Sequence, residues 1–325
     1  MNSSERLSDG AHRMTPPFER RDFLKSLALL PALSVHERSP FSEAIKPAGS
    51  HQNSSGCRLK ISLNAFSFND PLSKGLMSLD DVLDFCADNC FDAVDLTGYY
   101  FPGYPDVPSD EYVYHIKREA LRLGLDISGT GIRNNFADPD AGSRRADIQL
   151  IRRRIEVAAK LGAPVIRVFA GQPPDERYDR VEMLDWMVRD ISECVAHGRR
   201  HGVVIGVQNH NDFIRTADQA LQIMRRIDSE WCGLVLDTGS YRVGDPYEEI
   251  RATASHAVNW QIKEMVYVDG AEAAPDYSRI VEIIRDSGYR GYLPIETLGE
   301  GDPGTKVRRL QESLRQAIDQ VSRLG

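Results

Sequence analysis

The sequence predicts an α/β protein built as one (β/α)8 TIM barrel behind an N-terminal export segment. Three observations carry this. From Leu59 onward, short apolar runs rich in β-branched residues alternate eight times with stretches whose apolar residues recur at helical spacing. The last four runs each end in a polar residue, Gln208, Asp237, Gln261 and Glu296, separated by 29, 24 and 35 residues. That is about one strand-plus-helix unit of a barrel that uses roughly 250 residues for eight. The first strand leads into Asn64-Ala65-Phe66-Ser67-Phe68-Asn69-Asp70-Pro71 rather than the glycine-rich phosphate turn of a doubly wound sheet.

ISLNAFSF opens the barrel, and Ser78 is placed to cap a helix whose apolar face is Leu79, Val82, Leu83, Phe85 and Cys86. FDAVDLT is the second strand, followed by a helix over 109–124; LDISGTGI is the third, followed by 143–162. PVIRVFAG is the fourth, with a long helix over 177–201. VVIGVQNH, GLVLDTG, AVNWQIKE and GYLPIET complete the set, with helices near 216–228, 246–255, 277–288 and 304–323. Strict alternation implies right-handed parallel crossovers, which bring all strand ends, and their polar residues, to one mouth.

The first residues follow a different pattern. Arg20-Arg21-Asp22-Phe23-Leu24-Lys25 and the short apolar stretch from Ser26 to Val35 have the order of a twin-arginine export signal. The domain reading is therefore a signal over 1–37, a Pro/Gly/Ser-rich linker over 38–57 and the barrel over 58–325, with a periplasmic location expected, or a cytoplasmic one without the signal. No run is long and apolar enough for a conventional membrane span. A net charge of −8 disfavours a nucleic-acid partner, which calls for a basic face. Five cysteines without a C-x-x-C or Cys/His spacing read mainly as small apolar filler, with Cys86 and Cys90 placed on one helix.

At the strand ends the residues resemble the sugar phosphate isomerase/epimerase family of xylose-isomerase-like barrels over about 59–323. Gln208-Asn209-His210 matches the family's strand-5 Glu-Asn-His, and Asp237-Thr238-Gly239-Ser240 its strand-6 Asp-x-Gly-His. Gln261-Ile262-Lys263-Glu264 matches the strand-7 His-x-Lys-Asp, and Glu296 the strand-8 Glu. The resemblance implies a divalent metal, manganese, magnesium or cobalt, held by Gln208, Asp237, Gln261 and Glu296. Two of the four positions depart from the pattern, Glu to Gln at 208 and His to Gln at 261. The remaining all-oxygen set favours manganese, magnesium or calcium over zinc.

Gln208 cannot act as a base, so a symmetric two-glutamate epimerisation is disfavoured. What remains suits proton abstraction next to a carbonyl: Glu296 or His210 as the proton acceptor and Lys263 on an enediolate oxygen. An alternative places Lys263 and Glu264 in a structural ion pair. Tyr99, Arg133, Asn134, Arg167 and Arg242 follow strand ends and could contact sugar. The expected activity is a metal-dependent isomerase or epimerase on a free or oxidised sugar. A lyase or dehydratase using the same enediolate and a non-catalytic carbohydrate-binding barrel are the alternatives. The expected partner is a small carbohydrate, with room left for a homo-oligomer. An endonuclease IV-like role would need several histidine ligands and a basic face.

Overall fold

The computed structural model describes residues 59–173 and 178–324. The expected signal and linker lie outside the described residues. Eight parallel strands close into the predicted barrel: β1 (Lys60–Asn64), β2 (Ala93–Thr97), β3 (Asp126–Gly131), β4 (Val165–Phe169), β5 (Val204–Gln208), β6 (Cys232–Asp237), β7 (Ala257–Lys263) and β10 (Tyr292–Glu296). Around the barrel β1 pairs with β2 on one side and with β10 on the other, which closes the ring.

Helices return the chain between strands. The short α1 (Asn69–Ser73) lies in the first connection, then come α2 (Leu79–Asp88), α3 (Asp110–Arg122), α4 (Ala141–Leu161), α5 (Arg180–His201), α6 (Ala217–Ile227), α7 (Pro246–Thr253), α8 (Tyr277–Asp286) and α9 (Pro303–Leu324). Their starts are chemically marked: Ser78 and Asp81 form a reciprocal capping box at α2, and Ser109, Asp140, Asp179, Thr216, Asp245 and Asp276 accept from first-turn N–H groups. Helix α4 ends on Gly162 at φ 89°, a left-handed stop that a side chain would strain. Helix α2 stops before Cys90, which takes φ 56° just beyond it. Cys90 is therefore exposed while Cys86 is buried, and the two do not share the helix as expected.

A two-stranded hairpin, β8 (Val266–Val268) and β9 (Ala271–Ala273), interrupts the connection after β7 and was not anticipated. Asp269 and Gly270 both adopt positive φ at its tip, the Asp-Gly signature of a tight hairpin turn.

Strand alternation divides the barrel into two environments. Ile61 and Leu63, Val94 and Leu96, Ile205 and Val207, Leu234 and Leu236, and Leu293 and Ile295 belong to one continuous apolar core with the helices. Each such side chain contributes roughly 1.5–3 kcal/mol when withdrawn from water. The other parity mixes Val165, Val235, Pro294 and glycines with the buried polar residues, and those polar groups meet across the interior. Ser62 and Ser128 share a 2.6 Å hydrogen bond, and Asn259 Nδ2 lies 3.4 Å from Asp95 Oδ2. Gly129 permits that second contact, because a Cβ there would stand 2.7 Å from Asp95 Oδ2 and 3.0 Å from Asn259 Nδ2. Barrels usually fill this space with Val, Ile and Leu.

Candidate active site at the barrel mouth

The ladder register brings the strand-end residues together. Asp237 pairs with Gln261 and Lys263 with Glu296 along neighbouring strands, while Gln208 lies beside Phe169. All five of Gln208, Asp237, Gln261, Lys263 and Glu296 are buried. Gln261 and Lys263 are two apart on β7, so the pleat sends both side chains the same way.

Their hydrogen bonds form one network. Gln208 Nε2 donates to Asp237 Oδ2 at 2.8 Å, and Gly239 N donates to Asp237 Oδ1 at 2.9 Å. Gln261 Nε2 donates to Glu296 Oε2, and Lys263 Nζ to Glu296 Oε1. The same ammonium lies 3.5 Å from Asp237 Oδ2. A carboxylate only accepts, so an amide beside it turns its N–H to it. As arranged, the two carboxylates of the expected set flank an ammonium and the two amides donate to those carboxylates, so the four do not present their oxygens to a dication. The set does not fit the divalent metal that the resemblance implies.

Neighbouring residues hold these groups in place. Asn209 accepts from Asp237 N at 2.8 Å and donates to Asp237 O at 2.9 Å, clamping β5 to β6 next to the site. Thr238 Oγ1 accepts from Lys263 N at 3.0 Å. A Cβ on Gly239 would come within 2.7 Å of Lys263 Cγ and 3.0 Å of Met265 O, so the glycine makes room for the lysine stem. Glu264 does not pair with Lys263: it bonds Lys306 at 2.9 Å and accepts from Leu298 N, tying the loop after β10. Beside that loop a cavity of about 480 Å³ opens, lined by Phe66, Asn69, Thr297, Glu300 and Lys306 among others.

Electrostatics follow from burial. Burial pushes the Glu296 carboxyl above its ordinary value, with Lys263 pulling it back and Asp237 pushing it further up. Burial presses the Lys263 ammonium down, but Asp237 and Glu296 outweigh it and raise its pKa, so it stays charged. His210 stands at the exposed rim, its ring 4.6 Å from that of Phe169. The protein packed around the ring is the main cause holding its pKa down to about 4; Arg167, Lys263 and Arg242 add to this and Asp237 opposes it. The imidazole is neutral at physiological pH.

The expected sugar contacts sort into two kinds. Arg133, Arg167 and Arg242 lie over the rings of Tyr99, Phe169 and Tyr267 at 4.3, 4.0 and 4.1 Å. None of the three has a carboxylate partner among the described residues. Arg167 reaches across because Gly131 has no side chain, a Cβ there falling 2.8 Å from its Nη2. Asn134 is engaged at both ends instead, donating to Phe169 O at 2.9 Å and accepting from Phe169 N at 2.8 Å, which ties the loop after β3 to the end of β4.

Asp95 was missed in the sequence, and Asn209 was read only as the middle residue of the strand-5 motif, with no role assigned. An acidic residue inside an apolar strand, on the same parity as Thr97, was the available signal for Asp95. Away from the mouth, Glu156, His197 and His201 bring possible metal-ligating atoms within 4.8 Å of one another on α4 and α5. Arg200 donates to His197 Nδ1 at 3.0 Å, which places the ring proton on Nε2, facing Glu156 at 3.3 Å.

A closed parallel barrel with its polar groups gathered at the strand C-termini defines a TIM-barrel protein of enzyme type. The chain belongs to the xylose isomerase-like TIM barrel family, whose model matches residues 83–317. Among solved structures it is similar to D-psicose 3-epimerase from Clostridium cellulolyticum H10, with TM-score 0.65 and 18% identity over 81% of this chain and 98% of that one. It is also similar to 3-keto-D-glucoside 4-epimerase from E. coli, with TM-score 0.65 and 16% identity over 80% and 100%. At such identities the likeness is one of fold. A probable endonuclease 4 of Thermotoga sp. (strain RQ2) is 26% identical over 130 residues, 36% of this chain and 44% of that protein, so the match spans under half its length.

Proposed function

We propose that the protein is a sugar isomerase or epimerase that removes a proton from the carbon beside a carbonyl of a free or oxidised sugar. The observation that carries this is Glu296, a buried carboxylate at the barrel mouth bonded to the ammonium of Lys263. A carboxylate whose proton affinity is raised by burial is a stronger general base. An ammonium has three N–H groups, and two directed at carboxylates leave one for the oxygen on which enediolate charge develops. Glu296 can return the proton it took to the neighbouring carbon, while neutral His210 on the rim can accept the substrate's hydroxyl proton and pass it to the carbonyl oxygen. No step is assigned to a divalent ion, because the residues that would hold one are bonded to each other.

The epimerase names of the structural neighbours support a carbohydrate substrate. The three guanidinium groups, none in an ion pair with a carboxylate among the described residues, favour a sugar bearing a carboxylate, since Arg forms bidentate bonds with that group. The paired arginines near the N-terminus support export, which would make free or oxidised sugars more accessible than phosphate esters. No described helix is long and apolar enough to cross a membrane.

The test is incubation with ketoses, 3-keto-glycosides and keto-uronates in heavy water, followed by NMR. Washout of the proton beside the carbonyl is expected, slowed about 100-fold or more by Glu296→Gln. Loss of a substituent from the same intermediate would identify a lyase. Binding of these sugars with no exchange in any of them would leave a carbohydrate-binding barrel and overturn the enzymatic reading.

A further inference from the structure

We propose that Lys263 is the resident cation of the barrel mouth and that this protein works without a divalent metal ion there. Three features lead to it. First, each carboxylate oxygen of the expected ligand set already accepts from the protein: Asp237 Oδ1 from Gly239 N, Asp237 Oδ2 from Gln208, and the two Glu296 oxygens from Lys263 and Gln261. A hard dication requires such oxygens as its own ligands.

Second, both departures from the family pattern change a metal ligand into a hydrogen-bond donor. An amide at 208 gives Asp237 an N–H where the pattern has a carboxylate, and an amide at 261 does the same for Glu296 where the pattern has an imidazole. An isolated pair of buried carboxylates would repel, and the two amides and the ammonium together bond both of them without any added ion.

Third, the backbone is shaped around the lysine. Gly239 lies against its Cβ and Cγ, Thr238 takes its N–H, and both follow directly on Asp237. The ammonium thereby bridges β6, which supplies Asp237, and β10, which supplies Glu296. A dication placed among the same carboxylates would stand beside a buried positive charge in a medium of low dielectric.

The inference extends the reading of the mouth as a reaction centre, but metal uptake is measured whether or not any sugar turns over. The full chain, purified without chelator, is analysed for metals and titrated with Mn2+ alone to about 1 mM, where binding weaker than about 4 kcal/mol escapes detection. The expected result is no ion that depends on Asp237. Lys263→Met, confirmed folded by circular dichroism, should bind Mn2+ at least about tenfold more tightly than the parent, because the competing charge is gone; Lys263→Gln serves if the Met variant fails to fold. One Mn2+ per wild-type chain, lost in Asp237→Asn, overturns the proposal, as does a folded Lys263 variant with no gain. An ion that survives Asp237→Asn but is lost in His201→Ala belongs to the α4–α5 cluster and leaves the mouth metal-free, as proposed.

Discussion

Asp95 makes the protein's stability depend on pH in a direction opposite to that of a salt-bridged carboxylate. It is 6% exposed, inside the barrel, with Asn259 Nδ2 at 3.4 Å. Burial raises its pKa from 3.8 to about 7, with Arg167 lowering it and Glu296 raising it. The native state therefore keeps this proton up to about pH 7, whereas the unfolded chain releases it near 3.8. Between those values the native state binds more protons, so stability falls as pH rises: the contribution is fully present below 3.8 and lost through about 7. At 1.36 kcal/mol per pH unit, the interval amounts to roughly 4 kcal/mol, of which about 2–3 falls between pH 5 and pH 8. Asp95→Asn keeps an oxygen for Asn259, adds no atom toward Gly129 and cannot ionise. Urea unfolding at several pH values should show the wild type losing those 2–3 kcal/mol relative to the variant, with the variant more stable at pH 8. Buried Asp212, whose pKa is raised to about 6, adds a slope of the same sign in both proteins and cancels in the comparison. Parallel pH profiles for the two proteins would refute the reasoning.

Other outcomes follow from single contacts. In Gly131→Ala the nearest atoms to the added Cβ are those of the Arg167 guanidinium at 2.8–2.9 Å, a side-chain end rather than backbone. The substitution should cost under about 1 kcal/mol in denaturant unfolding, yet raise KM for a carboxylate-bearing sugar about tenfold by displacing the guanidinium. Gly239→Ala meets a backbone oxygen as well as the lysine stem and should destabilise by about 1–3 kcal/mol, read in the same unfolding assay. Ser78→Ala removes the capping box of α2 and should cost about 1 kcal/mol, with no change in sugar exchange.

Local periodicity was enough to write the barrel. Each strand is a short buried run and each helix from α2 to α8 carries a side-chain cap and an apolar face, so element order and the mouth's membership, Gln208, Asp237, Gln261, Lys263 and Glu296, were readable along the chain. The hairpin after β7 was not read: Val268-Asp269-Gly270-Ala271 has the turn chemistry, but its strands of three residues are too short to give a period. What the linear pattern does not hold is direction and partnership. Asp95 and Asn259 are 164 positions apart and meet only because the sheet closes. Asn134 was legible as a polar loop residue, but only its two bonds to Phe169 decide that it ties its loop to the end of β4. Gln208 and Gln261 were legible as oxygen-bearing side chains. Whether an amide offers its oxygen or its nitrogen depends on what it faces, and here each faces a carboxylate that can only accept. Lys263, aimed between those two carboxylates by the pleat of β7 and the space beside Gly239, is likewise a consequence of closure.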